Sequence, residues 1–400
     1  MPRQSRPWGN SPWIIDFHHS RRPLPASVDF AIIGAGFTGL SAAAHLGTLA
    51  PGKSVLVLES ASIGNGASGR TGGMALADTA AGPLPGLGDV LAGYKKILRA
   101  LRIDSRLTLP GALELGRSHS TKFSPIDWYD SGHLRVVRTV PGGTVDPGKV
   151  VSGLARAAQK AGAHIVEHSE LVSISPTQSA NAPLRLRVRT KIRGRLRTRT
   201  ILADQLLLAT NAASLQLSGL RSLAEPKLTL ALATAPLTKA QLRAVGLSSR
   251  RPFYTIDFPY LWGRLLENSG VIFGAGLVPL PSTARSPFSK HFSAHNSKLS
   301  FRDLLRFHVR SGQTAERLDW LESRVRNMHP ALKNIRVTHR WGGPILITRD
   351  MYPVFRRHPR HKKILILAGF SGHGVALSVY LGQWAAQSLL NLRPLPNWHQ

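Results

Sequence analysis

Cysteine is absent from the 400 residues. That excludes disulfides, thiolate metal sites, cysteine nucleophiles and any cofactor linked through a cysteine. No metal centre is expected, and redox chemistry would have to come from a bound cofactor. Acid is scarce as well: 21 Asp and Glu stand against 52 Lys and Arg, a formal charge of +31. A field of that sign draws phosphates, acidic surfaces and anionic substrates and says little about fold. Long apolar runs are missing too, none approaching the roughly eighteen residues a membrane span requires. The stretch from Met1 to Phe17 is broken by Arg, Pro and Gly, unlike a signal peptide or anchor. The expectation is a soluble, cytoplasmic protein.

What is present is ordinary for an enzyme-sized body. Hydrophobic residues make up 42%, and the length suits two domains with a substantial core. Trp8 and Trp13 mark the first twenty-odd residues as an arm packed on the surface, with a flexible tail as the alternative. The densest basic run, Arg185 to Arg199, alternates with Leu186, Val188, Ile192 and Leu196. Such alternation reads as strands with one wet face, a hairpin turning near Gly194.

From Asp29 the chain reads as a short buried strand, then Gly34-Ala35-Gly36-Phe37-Thr38-Gly39, then a helical run from Leu40 to Leu49 stopped by Pro51-Gly52. Strand, tight turn and helix in this order form a dinucleotide-binding signature. Gly34 permits the turn, Gly36 lets backbone approach a pyrophosphate, and Gly39 lets the helix pack on the strand. The phosphates would sit at the helix N-terminus. A second strand, Ser54 to Leu58, ends in Glu59, twenty residues after Gly39 and followed by Ser60. A carboxylate there accepts bonds from ribose hydroxyls and repels a 2′-phosphate, so NADP is disfavoured while FAD and NAD stay open.

The next segment, Gly64 to Met74, decides between them, because an ordinary NAD dehydrogenase has no comparable loop. Five glycines fall within ten residues, a mark of close backbone contact with a ligand. Ala67, Ser68, Arg70, Thr71, Gly72, Gly73 and Met74 are candidate cofactor contacts, Ser68 and Arg70 through charge-assisted bonds to pyrophosphate. Near the end, a buried strand Ile364 to Ala368 runs into Gly369-Phe370-Ser371-Gly372-His373-Gly374-Val375 and an apolar helix to Leu390. That is a second helix N-terminus directed at the same site.

Five ordered segments resemble the D-amino-acid-oxidase-like FAD oxidoreductases, particularly their gamma-glutamylputrescine oxidoreductase branch. They are Gly34 to Gly39, Gly66 to Gly73, Ala209-Thr210-Asn211-Ala212, Trp341-Gly342-Gly343 and Gly369 to Val375. The resemblance implies an α/β fold, with a Rossmann-type FAD domain assembled from 25–80, 145–215 and 335–400. It implies a mainly antiparallel substrate domain from 81–144 and 216–334, after an arm at 1–24. It also implies non-covalent FAD, an adenine contact at Val172, cofactor contacts at Thr210, Asn211, Trp341, Gly369, Ser371, Gly372, His373, Gly374 and Val375, and a flavin whose pyrimidine edge faces the last helix. Candidate catalytic residues are His373, Tyr260 and Arg264, the last at a position where the amine-oxidase branch commonly has Arg. Tyr254 and Trp262 are candidate pocket linings.

The expected reaction is oxidation of a C–N bond of a small amine to an imine, with hydride passing to flavin. No acid/base dyad is evident, and the electron acceptor is open between O2 and another oxidant. Amino-acid oxidases of this family carry an arginine near the fifth position of the Trp341 segment, where this chain has Ile345. That favours an amine over an oxidase of D-amino acids, glycine or sarcosine. A tRNA-modifying oxidase is the rival of another class. The charge allows it, but no RNA module accompanies the motifs, so nucleic acid is not the expected partner.

Overall fold

The computed structural model describes residues 7–18, 22–79, 81–117, 123–175, 182–192, 195–277, 304 and 306–398. Two eight-stranded sheets carry the chain. The first contains β1 (Ser27–Ile33), β2 (Val55–Leu58), β8 (His164–Val166), β9 (Ser169–Ser175), β10 (Leu184–Ile192), β11 (Arg195–Leu208), β17 (Val354–His358) and β18 (His361–Ala368). Its order is β17-β18-β11-β1-β2-β8, with β10 bridging β11 and β9. The contacts of β1 with β2 and β11, β2 with β8, and β11 with β18 are parallel.

The central strands read as unbroken apolar runs because both faces are covered. Phe30 and Ile32 of β1 enter a core with α1 (Phe37–Leu49), α2 (Val90–Ala100), α3 (Pro147–Lys160) and α5 (Gly374–Leu389). Ala31 and Ile33 face the opposite core, shared with Leu186 and Val188 of β10. The expected basic hairpin is β10 paired antiparallel with β11: Arg185, Arg187, Arg189 and Lys191 are exposed, while Leu186 and Val188 are buried. Its turn at Gly194 lies outside the described residues, as does the basic loop expected from Pro281 to Ser297.

The second sheet contains β4 (Ala112–Gly116), β5 (Asp127–Tyr129), β6 (His133–Val140), β12 (Ala224–Thr234), β13 (Phe253–Thr255), β14 (Trp262–Leu265), β15 (Val271–Leu277) and β16 (Val337–Thr348). Its order is β16-β12-β15-β14-β13-β4-β6-β5, antiparallel except between β13 and β4. One face packs on α4 (Gly312–Met328) around Trp128, Phe253 and Phe273. The other looks toward the glycine-rich loop. A ribbon of β3 (Met74–Leu76) and β7 (Gly142–Thr144) joins the two halves.

Two segments sit differently from the expected division. β16 pairs along its length with β12 of the second sheet, although 335–400 was assigned to the nucleotide half. α2, assigned by 81–144 to the substrate half, buries Val90, Leu91, Tyr94, Ile97 and Leu98 in the nucleotide-half core. Its apolar stripe needs a helical partner, and Gly93 supplies the close approach to Tyr380 on α5. The arm is packed more deeply than a surface strap. Trp8 is fully buried, its indole donates to the Leu304 carbonyl at 2.6 Å, and Trp8 O accepts from Gly342 N at 2.8 Å.

Candidate active site

The turn after β1 has the geometry a pyrophosphate needs. Gly34 adopts φ +102°, a conformation that L side chains rarely take, and its N–H reaches Leu58 O at 2.8 Å. Gly36 caps α1 with no side-chain hydrogen bond, and a Cβ there would lie 2.8 Å from Ser68 Oγ. That hydroxyl accepts from Phe37 N at 2.9 Å, which places Ser68 at the mouth of the helix. Thr38 is buried beneath, and Gly39 lies so close to Gly34 O that only glycine fits. Glu59, at the end of β2, accepts from Ala35 N at 3.0 Å, from Ala61 N at 2.8 Å and from Ser60 Oγ at 3.3 Å. Its main-chain carbonyl accepts from Ser169 N at 2.8 Å, bringing the start of β9, and with it partly exposed Val172, to the same lip.

The 66–74 loop is held from both sides. Ser11 Oγ donates to Gly69 O and Trp13 Nε1 to Thr71 O, each at 2.7 Å, while Trp341 Nε1 donates to Arg70 O at 2.9 Å. Arg70 sits over the Trp8 ring and donates to Gly9 O at 2.6 Å, with longer bonds to Asn65 O, Gly342 O and Trp8 O. Those bonds fasten arm, loop and β16 together, where the sequence pointed to a pyrophosphate contact. Thr71 Oγ1 accepts from Gly73 N at 3.3 Å, and Met74 begins β3.

The C-terminal motif closes onto the same region. Asn211 Oδ1 accepts from Gly369 N at 3.0 Å, which ties the segment after Thr210 to the last crossover. Ser371 Oγ lies 3.0 Å from Thr348 Oγ1, and Ser371 N donates to Leu346 O. His373 is the N-cap of α5, with Nδ1 3.1 Å from Ser371 O and no side-chain cap. Burial holds its imidazole below the ordinary range, opposed by the Ser371 carbonyl and Asp78. Gly372 and Gly374 flank it, and Val375 is buried. Two helix starts without side-chain caps thus follow two glycine turns that are linked through Ala209 and Asn211, a fit for a dinucleotide with two phosphates and an electron-rich ring.

The second sheet supplies the opposite wall. Register aligns one row across it: Arg138, Glu114, Tyr254, Trp262, Gly274, Ala231 and Trp341. Trp262 lies between Gly72 and Gly274, where a Cβ would meet its ring at 2.2 and 2.0 Å respectively. Tyr254 donates its hydroxyl to Glu114 Oε1 at 2.5 Å. Both Tyr254 and Tyr260 have hydroxyls pushed up, first by burial and then by Glu114, so each stays a neutral donor. The Tyr260 carbonyl accepts from Arg324 Nη1 at 3.0 Å.

Arg264 is buried at the junction of the halves, over the Trp13 ring, donating to the carbonyls of Leu265, Gly73 and Val145. Burial lowers its pKa to about 10. These contacts make it a stitch between β14 and the loop. Ile345 is half-buried opposite Lys227, whose ammonium pairs with Glu225 at 2.8 Å.

A family model described as DAO, FAD dependent oxidoreductase, matches residues 29–388. The chain belongs to that family. It is 25% identical to a probable oxidoreductase, OrdL, of Haemophilus influenzae over 90% of this chain and 83% of the relative. It is 24% identical to the gamma-glutamylputrescine oxidoreductase of Escherichia coli K12, over 90% and 83% of the two chains. In fold it is similar to glycine oxidase from Geobacillus kaustophilus (TM-score 0.66, 18% identity, 92% and 96% covered). It is also similar to L-amino acid deaminase from Proteus myxofaciens (TM-score 0.67, 15% identity, 98% and 97% covered). The chain is therefore an FAD-dependent oxidoreductase acting on C–N bonds. Among the described residues no helix is long and apolar enough to cross a membrane.

Sequence reasoning missed Glu114. The available signal was an isolated acid in Ala112-Leu113-Glu114-Leu115-Gly116, where alternation alone puts it on the face opposite the two leucines. It also missed the ion cluster of Asp130 with Arg117 and Arg324, which holds the 257–260 segment below Tyr260. Arg324 lies 194 residues from Asp130 and Arg117 lies 13 from it, and no local pattern links the three.

Proposed function

We propose that this family member oxidises a small amine that carries no carboxylate on the reacting carbon, of the gamma-glutamylputrescine type or a related amine. The observation that carries the reading is Ile345, an aliphatic side chain on the sheet face that bears Tyr254, Trp262 and Trp341. An α-carboxylate bound against it would be buried without a pairing fork, at a cost of several kcal/mol. The neighbouring cation, Lys227, is already neutralised by Glu225.

FAD held in this cradle would supply a two-electron acceptor for hydride from the carbon beside nitrogen. The chain's own groups orient and exclude. Gly36, Phe37, Thr38 and Gly39 with Ser68 would hold the pyrophosphate, Glu59 with Ser60 the ribose, and Val172 the adenine. Ala67, Thr71, Gly72, Gly73 and Met74 would line the ring system, backed by Trp262 and Trp341. The start of α5 at His373, Gly374 and Val375 would place positive potential at its far edge, and neutral His373 would keep its outer ring nitrogen for a hydrogen bond. Tyr260 would present a neutral hydroxyl to the substrate, and Arg264 would act by fastening Gly73. Water would convert the imine to an aldehyde and a smaller amine or ammonia.

The basic hairpin, the densest part of the positive charge that allowed a tRNA substrate, belongs to the first sheet and not to this wall. The small-molecule reading is tested by incubating holoenzyme with gamma-glutamylputrescine and trapping the aldehyde. Aldehyde accumulation supports it, whereas turnover of glycine or D-alanine to a keto acid, with no aldehyde from any amine, overturns it.

A further inference from the structure

The Glu114 carboxylate stands in the sheet row that carries Tyr254 and Trp262 toward the cofactor loop. It is 6% exposed, in a chain with few acids, and its neighbours Leu113 and Leu115 point into the opposite core. Its row places it next to Tyr254 and two strands from Trp262, about 10 Å at ordinary strand spacing. Trp262 in turn touches Gly72 of the cofactor loop. One oxygen accepts from Tyr254; the other accepts from Arg138, whose side chain is 68% exposed at the rim. A carboxylate has about four acceptor positions, so these two partners leave room for another donor. Tyr254, whose hydroxyl bonds it, and Tyr260, close enough to feel its charge, add aromatic rings of the kind that suit a cation.

We infer that Glu114 is a specificity-determining residue that receives a second ammonium of the substrate, distant from the nitrogen whose C–H bond is oxidised. This rests on the amine-oxidising reading and narrows it to diamines, longer polyamines or conjugates that keep a second ammonium. Arg138 covers the carboxylate from the rim, and because its own side chain is 68% exposed its guanidinium can turn to water when a second ammonium takes its place.

The test compares anaerobic flavin reduction of the holoenzyme by 1,4-diaminobutane and by butylamine, which differ only in the second nitrogen. The diamine is expected to give at least tenfold higher kcat/KM. Glu114→Gln should bring that ratio near one, mainly through KM, and Glu114→Asp, which keeps the charge, should retain part of it. Equal reduction by the two amines in the unaltered protein would overturn the inference while leaving amine oxidation standing. So would a preference that survives in Glu114→Gln, or, if that variant does not fold, an Asp variant with undiminished preference. Reduction by neither amine nor any conjugate would instead remove the amine reading beneath it.

Discussion

Gly72→Ala puts the union of the two halves to a sharp test. The new Cβ would stand 2.2 Å from Trp262 Cζ3, 2.9 Å from Cη2 and 3.1 Å from Cε3. The ring cannot retreat, because Gly274 on β15 approaches its other side as closely. Either the loop or the ring must move by more than an ångström, and overpacking of this kind costs about 1–3 kcal/mol. Since the same loop lines the cofactor site, most of that cost should fall on FAD binding, a weakening of about 5- to 150-fold at 1.4 kcal/mol per decade. Fluorescence titration of the apoprotein with FAD measures it. Trp262→Leu removes the obstructing atoms, so Gly72→Ala/Trp262→Leu should bind FAD better than the sum of the single changes allows, with a coupling of at least about 1 kcal/mol. Unaltered affinity in Gly72→Ala, or strict additivity in the pair, would refute the sandwich.

The remaining expectations concern the cofactor and pH. Acid or heat precipitation should release FAD quantitatively into the supernatant, as the chain has no cysteine to link it; colour left in the pellet would mean a covalent bond. Gly36→Val should abolish FAD retention on gel filtration, because its side chain would fill the space at Ser68 Oγ, and full occupancy would contradict the phosphate assignment. His373 and His45 both have pKa values depressed by burial. The unfolded chain therefore binds more protons below the ordinary value of 6.5, so stability should be fully present above that pH and fall as the pH drops toward the folded values. His373→Gln should flatten part of the decline in melting temperature between about pH 6.5 and 5, and an unchanged slope would exclude a His373 contribution.

The nucleotide half was largely legible because its signals are local. A strand, a glycine turn and a helix within twenty residues, followed by Glu59, can be read along the chain, and α1, β2 and α5 lie where the sequence pattern puts them. The hairpin alternation was equally plain, since each strand buries one face. The opposite wall was not legible in the same way. Glu114, Tyr254 and Trp262 come from three separate strands, and only sheet register aligns them. Arg70 and Arg264 look like ligand cations in sequence, because nothing local reveals the carbonyls of Gly9, Gly342, Gly73 and Val145 that they reach across the fold. The place of β16 was misread for a related reason: its Trp-Gly-Gly motif touches the cofactor loop, while its backbone pairs with β12.

Anaerobic stopped-flow bleaching of the flavin across one panel of polyamines, gamma-glutamyl polyamines, N-methyl amines, glycine, sarcosine and D-amino acids is the most direct test of the substrate class. Rapid bleaching by the amines, with glycine and D-alanine slower by orders of magnitude, is the predicted result. Fast bleaching by glycine or D-alanine, with none by the amines, would contradict the role assigned to Ile345 and the function built on it.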